Sequence, residues 1–443
     1  MPEEENTKSV KIEKLGPDLK GSGELNGRTY SFRYVNIGDT VEFETRGRGI
    51  RRYDKVHGYI RGQEFSSFCR VYGECGGCAG QHISYAGQFN LKTGALCQSF
   101  QEKFGLNLKP VAAAKDRLYR NRMDFTVHPG LTGLHQAENF RKIIDIEECM
   151  IQSAEANREL AIFREWILRY PDLPYDRKQE TGFLKYVTIR KGENLVVILT
   201  FIQEFEESSL KEEIKKSFAA ISGADNIIFC YNRKKSEVSA DGKSEVVRAD
   251  AFFRSLVLNR IIEVPFNSFF QPNPPEFENI LQFIKGKFVG TPRSGKFLDM
   301  FCGSGFFSLL LGDMFDSVTG YDSVPSSIES ARISFERLYP GKKNKFEAID
   351  LYQEKSFQTV MSDMTNSVMV VDPPRAGLGE KFSRFIVQYG PEIIFYVSCN
   401  PWNQIKDLEI LSESYNLIDA MVCDPFPQTP HLESVVFLHR KEL

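Results

Sequence analysis

Apolar positions along the chain change their period from one stretch to the next. Residues 8 to about 66 show short alternating runs broken by glycine. Val10-Lys11-Ile12, Thr29-Tyr30-Ser31-Phe32 and Thr40-Val41-Glu42-Phe43 read as strands, with turns at Gly21-Ser22-Gly23 and Asn36-Ile37-Gly38-Asp39. That pattern predicts a small β-barrel over residues 1–66. A middle zone, residues 67–267, opens with clustered cysteines and contains the strand-like runs Tyr186-Val187-Thr188-Ile189 and Leu195-Val196-Val197-Ile198-Leu199. A mixed α/β or mainly antiparallel domain is expected there. In the last zone, residues 268–443, buried strand runs alternate with helical patterns. The runs are Phe297–Met300, Ser317–Tyr321, Val368–Val371 and Ile393–Val397. This alternation predicts a multi-domain chain ending in a doubly wound α/β sheet, mostly parallel.

Composition narrows the class. The 443 residues are 42% hydrophobic, enough for several cores. The sequence has no uninterrupted apolar run of the ~18 residues that a membrane helix requires. The acidic start, Met1-Pro2-Glu3-Glu4-Glu5, lacks the basic and apolar regions of a secretion signal. The expectation is a cytoplasmic, monomeric protein with no membrane partner. A net charge of −3 does not by itself point to nucleic acid. Between residues 46 and 61, however, Arg46, Arg48, Arg51, Arg52, Lys55 and Arg61 face only Asp54. That strip is either a solvated hairpin face or a phosphate contact. The nine cysteines are odd in number, in a long chain without a secretion signal, which argues against a disulfide framework.

The predicted strand ending at Asp299 and Met300 runs into Phe301-Cys302-Gly303-Ser304-Gly305-Phe306-Phe307-Ser308. Gly303 and Gly305 let backbone approach a ligand closely, and Asp322 closes the next strand where it can accept hydrogen bonds from ribose hydroxyls. A dinucleotide site would normally carry a third glycine, and Ser308 stands at that position. A cationic sulfonium has no pyrophosphate to cradle. It suits a loop flanked by the acids Asp299, Asp322 and Asp350.

Two later strands end in Asp372-Pro373-Pro374-Arg375 and Ser398-Cys399-Asn400-Pro401. In an open α/β sheet both ends face the ligand crevice. Alone, Cys399 reads as a small buried hydrophobe, and Glu433, before the last apolar run, as a surface ion-pair partner. Together they fit one demanding reaction. Carbon 5 of uracil is a poor nucleophile until a thiolate adds at carbon 6. The reaction then needs a group that polarises the uracil carbonyl and a base that removes the carbon 5 proton. Cys399, Asp372 or Arg375, and a later carboxylate could fill those roles. The thiol, ordinarily near pKa ~8.5, needs activation.

In this order, Ser268-Phe269-Phe270-Gln271, Asp299 to Gly305, Asp372-Pro373-Pro374-Arg375, Ser398-Cys399-Asn400-Pro401 and His431-Leu432-Glu433 resemble the uracil-C5 RNA methyltransferases, which include the bacterial 23S ribosomal RNA and transfer RNA 5-methyluridine enzymes. The resemblance spans nearly the whole chain. It implies an S-adenosyl-L-methionine-dependent class I methyltransferase domain over 268–443, with Cys399 as nucleophile and Glu433 as base. It further implies a pocket formed by Gln271, Phe301, Gly303, Gly305, Asp322, Asp350 and Asp372. Many relatives carry asparagine where Phe306 stands, so packing is expected to replace a polar contact; Asp322 stands where glutamate is more usual.

The spacing Cys69-x5-Cys75-x2-Cys78 with distant Cys149 leaves zinc and an iron–sulfur cluster equally open. Resemblance to the iron–sulfur members of the family implies a 4Fe-4S cluster held by all four, serving folding or RNA contact because methyl transfer moves no net electrons. The first zone resembles a TRAM domain, an OB-like RNA-binding barrel. Members with both features mostly act on 23S ribosomal RNA, so that RNA is the expected partner, with transfer RNA as the alternative. Phe269 and Phe270 are candidates for an aromatic wall, and Arg117, Tyr119, Arg120 and Arg122 for an RNA-facing surface of the middle zone. Two rival readings remain. An amino-methyltransferase would place an aromatic residue where Arg375 stands and leave Cys399 without a role. A non-catalytic RNA-binding iron–sulfur protein would not need Cys399, Glu433 and the glycine loop together.

Overall fold

The computed structural model describes residues 7–46, 53–64, 66–205, 208–232, 238–240, 242–288 and 295–442. The first zone forms two three-stranded antiparallel sheets. One has the order Lys8–Lys11, Thr40–Arg46, Tyr53–Ile60; the other runs Lys14–Leu15, Gly21–Leu25, Arg28–Phe32. They meet at a corner where Ile12 N–H donates to Asp39 O and Glu13 N–H to Ser22 O. Alternate residues turn inward, so Val10, Ile12, Tyr30, Phe32, Val41 and Phe43 share one core. The expected barrel is thus a cornered pair of sheets among the described residues.

Gly21-Ser22-Gly23 is strand, not turn. A Cβ at Gly23 would stand 1.9 Å from Lys11 O, so close approach of two backbones, not a reversal, requires the glycine. The turn at 36–39 forms as expected, with Asp39 Oδ2 accepting from Asn36 N–H at 2.9 Å and Gly38 at φ 93°. Of the basic strip, Arg48, Arg51 and Arg52 lie outside the described residues, and Arg46 pairs with Glu44.

The middle zone is built on a seven-stranded sheet, ordered Asn139–Asp145, Leu131–Gln136, Arg122–His128, Leu184–Lys191, Leu195–Phe201, Asn226–Tyr231, Lys243–Arg248. It is antiparallel except where Leu195–Phe201 and Asn226–Tyr231 run parallel, joined through helix Ser208–Ile221. Helix Ala154–Ile167 buries Leu160, Phe163 and Trp166 against it.

The last zone contributes seven strands of an eight-stranded sheet, ordered Asn344–Ala348, Ser317–Asp322, Lys296–Met300, Ser367–Val371, Ile393–Ser398, Glu433–Arg440, Tyr415–Cys423, Lys109–Val111. The first five are parallel, and Glu433–Arg440 is antiparallel to both neighbours. Chain order reverses between Lys296–Met300 and Ser367–Val371, which opens a crevice at their carboxyl ends. One strand crosses the expected boundary at residue 267: Lys109–Val111 pairs with Tyr415–Cys423, and helix Tyr85–Phe104 packs Leu96 and Phe100 into the last zone's core. Their apolar faces fit that core although their sequence lies among middle-zone residues. No helix among the described residues is long and apolar enough to cross a membrane.

Candidate active site

Strand register creates the site. Ser398 pairs with Ser434 across the antiparallel strands Ile393–Ser398 and Glu433–Arg440. One step beyond that pair, Cys399 and Glu433 sit side by side at the same sheet end. Asp372 follows the neighbouring parallel strand, its N–H donating to Met300 O at 3.2 Å. Hydrogen bonds tie these ends together. Asn400 and Asn403 amides donate to Arg375 O at 3.0 and 2.8 Å, and Ser434 Oγ donates to Gln404 Oε1 at 2.7 Å.

The glycine loop follows Lys296–Met300, two strands along the sheet from Cys399. Phe301 and Gly303 take left-handed conformations, φ 60° and 52°, and Gly305, at φ 82°, precedes helix Phe306–Leu311. A Cβ on Gly305 would lie 3.1 Å from Ala331 Cβ, so this glycine serves helix packing. Strain at Phe301, of order ~1–3 kcal/mol, is held in place by ring contacts with Tyr352 and Phe382. Ser308 does more than replace a glycine: its N–H and Oγ donate to Asp299 Oδ2 at 2.9 and 2.6 Å. Asp322 accepts from Gly303 N–H at 3.1 Å and Val324 N–H at 2.8 Å. Asp350 accepts from Tyr352 N–H.

One cavity of about 530 Å³ is lined by Gln271, Phe301, Gly303, Asp322, Asp350, Asp372, Cys399 and Glu433. Of the expected residues, Gly305 and the flanking acid Asp299 stand behind the wall. Phe269 is exposed at the cavity rim, whereas Phe270 is core, packed edge-on against Phe306. The aromatic wall expected of both therefore rests on Phe269. Phe306 packs against Phe270 and Phe277 as anticipated.

Burial dominates the electrostatics. It pushes Asp299 up to about 7, against the two Ser308 hydrogen bonds. Desolvation, with Asp299 adding to it, raises Asp372 to about 8. Glu433 is raised well above the usual carboxylate range by burial and by Asp372, and its Oε1 has no hydrogen-bond partner among the described residues. Cys399 is pushed up to about 12, chiefly by burial and then by Glu433 and Asp372, while Arg375 opposes the shift. His431, 2.9 Å from Arg375, is lowered to about 4 by burial and that cation.

Several residues that hold the site were not singled out in the sequence. Arg190, wholly buried over the Phe253 ring, donates to Phe266 O and Ser268 O and so fixes the segment entering Gln271. Asn121 donates to Gln271 O at 2.9 Å. Gln88 donates to Gln428 Oε1 and Lys92 to Thr429 O, from the helix that crosses into the last zone. An arginine closing the apolar run of strand Leu184–Lys191 was the available signal. Among the expected RNA-facing residues, Arg122 is committed to Asp124 at 2.9 Å, Tyr119 donates to Pro427 O, and Arg117 lies over Phe68.

Cys69, Cys75, Cys78 and Cys149 line a second cavity, of about 350 Å³, with Arg120 on the shared wall toward the first. Among the described residues no set of His, Cys, Asp or Glu closes around a single metal ion.

A doubly wound sheet with a two-glycine loop, an acid at the end of the next strand and a crevice at its switch point defines a class of proteins built to bind a nucleoside cofactor. The particular family follows from comparison. The tRNA (uracil-5-)-methyltransferase family model matches residues 84–441, and the chain belongs to that family. It is an S-adenosylmethionine-dependent RNA uracil-C5 methyltransferase. An RNA methyltransferase of Leptospira interrogans is 40% identical, covering 98% of this chain and 97% of the relative. The tRNA (uracil(54)-C(5))-methyltransferase of Pyrococcus horikoshii is 31% identical, covering 84% and 85%. The crystal structure of the Pyrococcus abyssi tRNA (uracil-54, C5)-methyltransferase with S-adenosyl-L-homocysteine superimposes with TM-score 0.75 at 26% identity, covering 97% of this chain and all of that one.

Proposed function

We propose that this enzyme methylates carbon 5 of a uridine through a covalent bond between Cys399 Sγ and carbon 6. The observation that carries the reading is the register that sets Cys399 and Glu433 side by side on the cavity that also holds the glycine loop. Bound S-adenosylmethionine supplies the methyl group from its sulfonium. Asp322, with Gly303 and Gln271, would hold its nucleoside and amino-acid parts. Cys399 needs to lose its proton. Arg375 and the amino end of helix Pro401–Leu411 favour the thiolate. Three acidic groups in one desolvated wall do not all ionise together, so a proton retained on Asp372 eases the charge on Cys399. Protonated near neutrality, Asp372 is also a hydrogen-bond donor suited to the uracil carbonyl. Once carbon 5 carries the methyl group, Glu433 takes the carbon 5 proton, electrons return to the carbon 5–carbon 6 bond, and Cys399 leaves as thiolate.

The target is a structured RNA. The 23S expectation rested on the amino-terminal β-domain and the cysteine set being features of ribosomal enzymes. A transfer RNA enzyme superimposes over 97% of this chain, so that premise weakens. Transfer RNA is the better-supported target, on the printed targets of the named relatives; 23S ribosomal RNA is the second reading. The four cysteines are the proposed holders of a 4Fe-4S cluster. All four line one cavity, and thiolates are the ligands that such a cluster takes. A cluster there would brace the fold rather than enter the reaction.

The deciding experiment is intact-mass analysis with RNA carrying 5-fluorouridine. Fluorine blocks proton removal, so a protein–RNA adduct accumulates with wild type and disappears in Cys399→Ala. Mapping 5-methyluridine in transfer and ribosomal RNA from cells with and without the gene names the target.

A further inference from the structure

Cys399 is reached from two sides. Besides the 530 Å³ crevice it lines a smaller cavity of about 270 Å³, and Arg375 and His431 belong to both. The crevice holds the glycine loop and the carboxylates. The smaller cavity holds none of these; its walls include Trp402, Asn400 and, from the amino-terminal sheets, Asp18. A reaction between a small cofactor and one base of a polymer needs this division, because the nucleotides on either side of the flipped uridine must lie outside the cofactor crevice.

Trp402 is placed to meet one of them. It stands three residues after Cys399, in the first turn of helix Pro401–Leu411, where Pro401 fixes the backbone entry. The residue is 42% exposed. Among the described residues the indole makes no hydrogen bond, ring contact or cation contact, and it borders the smaller cavity. Arg375, on the wall shared with the crevice, has no carboxylate partner among the described residues and brings positive charge to the same opening.

We propose that the cavity between Trp402 and Asp18 is a subsite for the RNA nucleotide adjoining the target uridine, whose base stacks on the Trp402 indole. Stacking of this kind is tolerant of base identity, because every base has a π-face. The subsite therefore fixes the path and register of the strand past Cys399 rather than reading a particular base. Asp18 places the amino-terminal sheets on the far side of the same nucleotide. The inference rests on the reading of Cys399 as the residue that meets the flipped uridine.

The chain contains two tryptophans, and the other, Trp166, is wholly buried with its Nε1 bonded to Ser217 Oγ at 3.0 Å. Trp166 thus supplies a shielded background, and a quench by RNA that is lost in Trp402→Phe is assigned to Trp402. Titrating the enzyme with an unmodified transcript that it methylates should quench the wild-type signal, and Trp402→Phe should abolish the quench. Trp402→Ala should raise KM for RNA roughly tenfold, the loss expected for one base–aromatic stack. It should leave kcat at saturating RNA and S-adenosylmethionine affinity near wild type, and Trp402→Phe should restore most of the KM. Unchanged fluorescence on RNA binding, or a wild-type KM in Trp402→Ala, would overturn the subsite. Failure of the wild type to form an adduct with 5-fluorouridine RNA would instead remove Cys399 from the reaction, and neither the quench nor the KM measurement depends on that adduct.

Discussion

The ammonium of Lys92 lies 2.6 Å from the carboxylate of Asp424, and neither side chain meets solvent. Burial lowers the lysine and raises the aspartate, so the pair persists only because each neutralises the other. The same ammonium donates to Thr429 O at 3.1 Å and His431 O at 3.4 Å. A residue on an early helix thereby shapes the loop that delivers Glu433. Lys92→Met should destabilise the protein by about 3–5 kcal/mol, because one buried charge is left uncompensated. The double variant Lys92→Met/Asp424→Leu should recover much of that loss. Urea unfolding of both tests this; a single variant as stable as wild type would show that the pair contributes nothing.

At the reacting residues, substitutions should separate addition from elimination. Cys399→Ala should abolish turnover and leave S-adenosylmethionine binding nearly intact, since Cys399 stands two strands along the sheet from the glycine loop. Glu433→Gln should slow product release and let a Cys399–RNA adduct build up with ordinary uridine, because addition proceeds while removal of the carbon 5 proton does not. Substantial turnover in the alanine variant, or normal release in the glutamine variant, would refute the respective role.

The doubly wound sheet was readable because its strands are continuous apolar runs ending in distinctive chemistry, as at Asp372 and Cys399. The tie between Cys399 and Glu433 was readable only through resemblance: their 34-residue separation says nothing about register, and the pairing of Ser398 with Ser434 supplies it. Gly21 and Gly23 misled because glycine demanded by close packing, against side chains at Gly21 and backbone at Gly23, looks the same in sequence as glycine demanded by a turn. Lys92, Gln88 and Arg190 were missed for a related reason. Their partners are backbone carbonyls and residues far away in the chain, and local periodicity carries no trace of them.

Asp299 and Asp372 should make stability pH-dependent, with a sign that can be worked out. Burial raises them to about 7 and about 8, above the ordinary carboxylate value near ~4. Between pH ~4 and those values the folded protein therefore holds more protons than the unfolded chain. Each group stabilises the fold most below pH ~4 and gives up on the order of 1.4 kcal/mol per pH unit as pH rises through that window. Stability should therefore fall as pH rises from 6 to 8, and Asp372→Asn, which cannot ionise, should make that fall shallower. Urea unfolding of both proteins across this range measures it. Equal pH slopes for wild type and variant would mean that Asp372 holds no extra proton in the folded protein.

The cysteine cavity is hydrogen-bonded to the loop that leads to Glu433. Immediately after Cys78, the N–H groups of Ala79 and Gly80 both donate to Gln428 O, at 2.7 and 3.1 Å, and Gln428 holds a left-handed φ of 68°. Five residues later the chain reaches Glu433. Whatever orders Cys78 therefore orders this turn. Anaerobically purified protein should be brown and carry about four irons per chain, the content of one cubane. Cys75→Ser should lose iron and colour. It should also increase hydrogen exchange at the Ala79 and Gly80 amides, since their acceptor on the loop is no longer held in place, while S-adenosylmethionine affinity stays near wild type because Asp322 and Gly303 stand on a different wall. Stoichiometric zinc without iron would replace the cluster with a mononuclear site on the same cysteines. Iron loss with unchanged amide exchange would show that the Gln428 turn holds its shape without the metal.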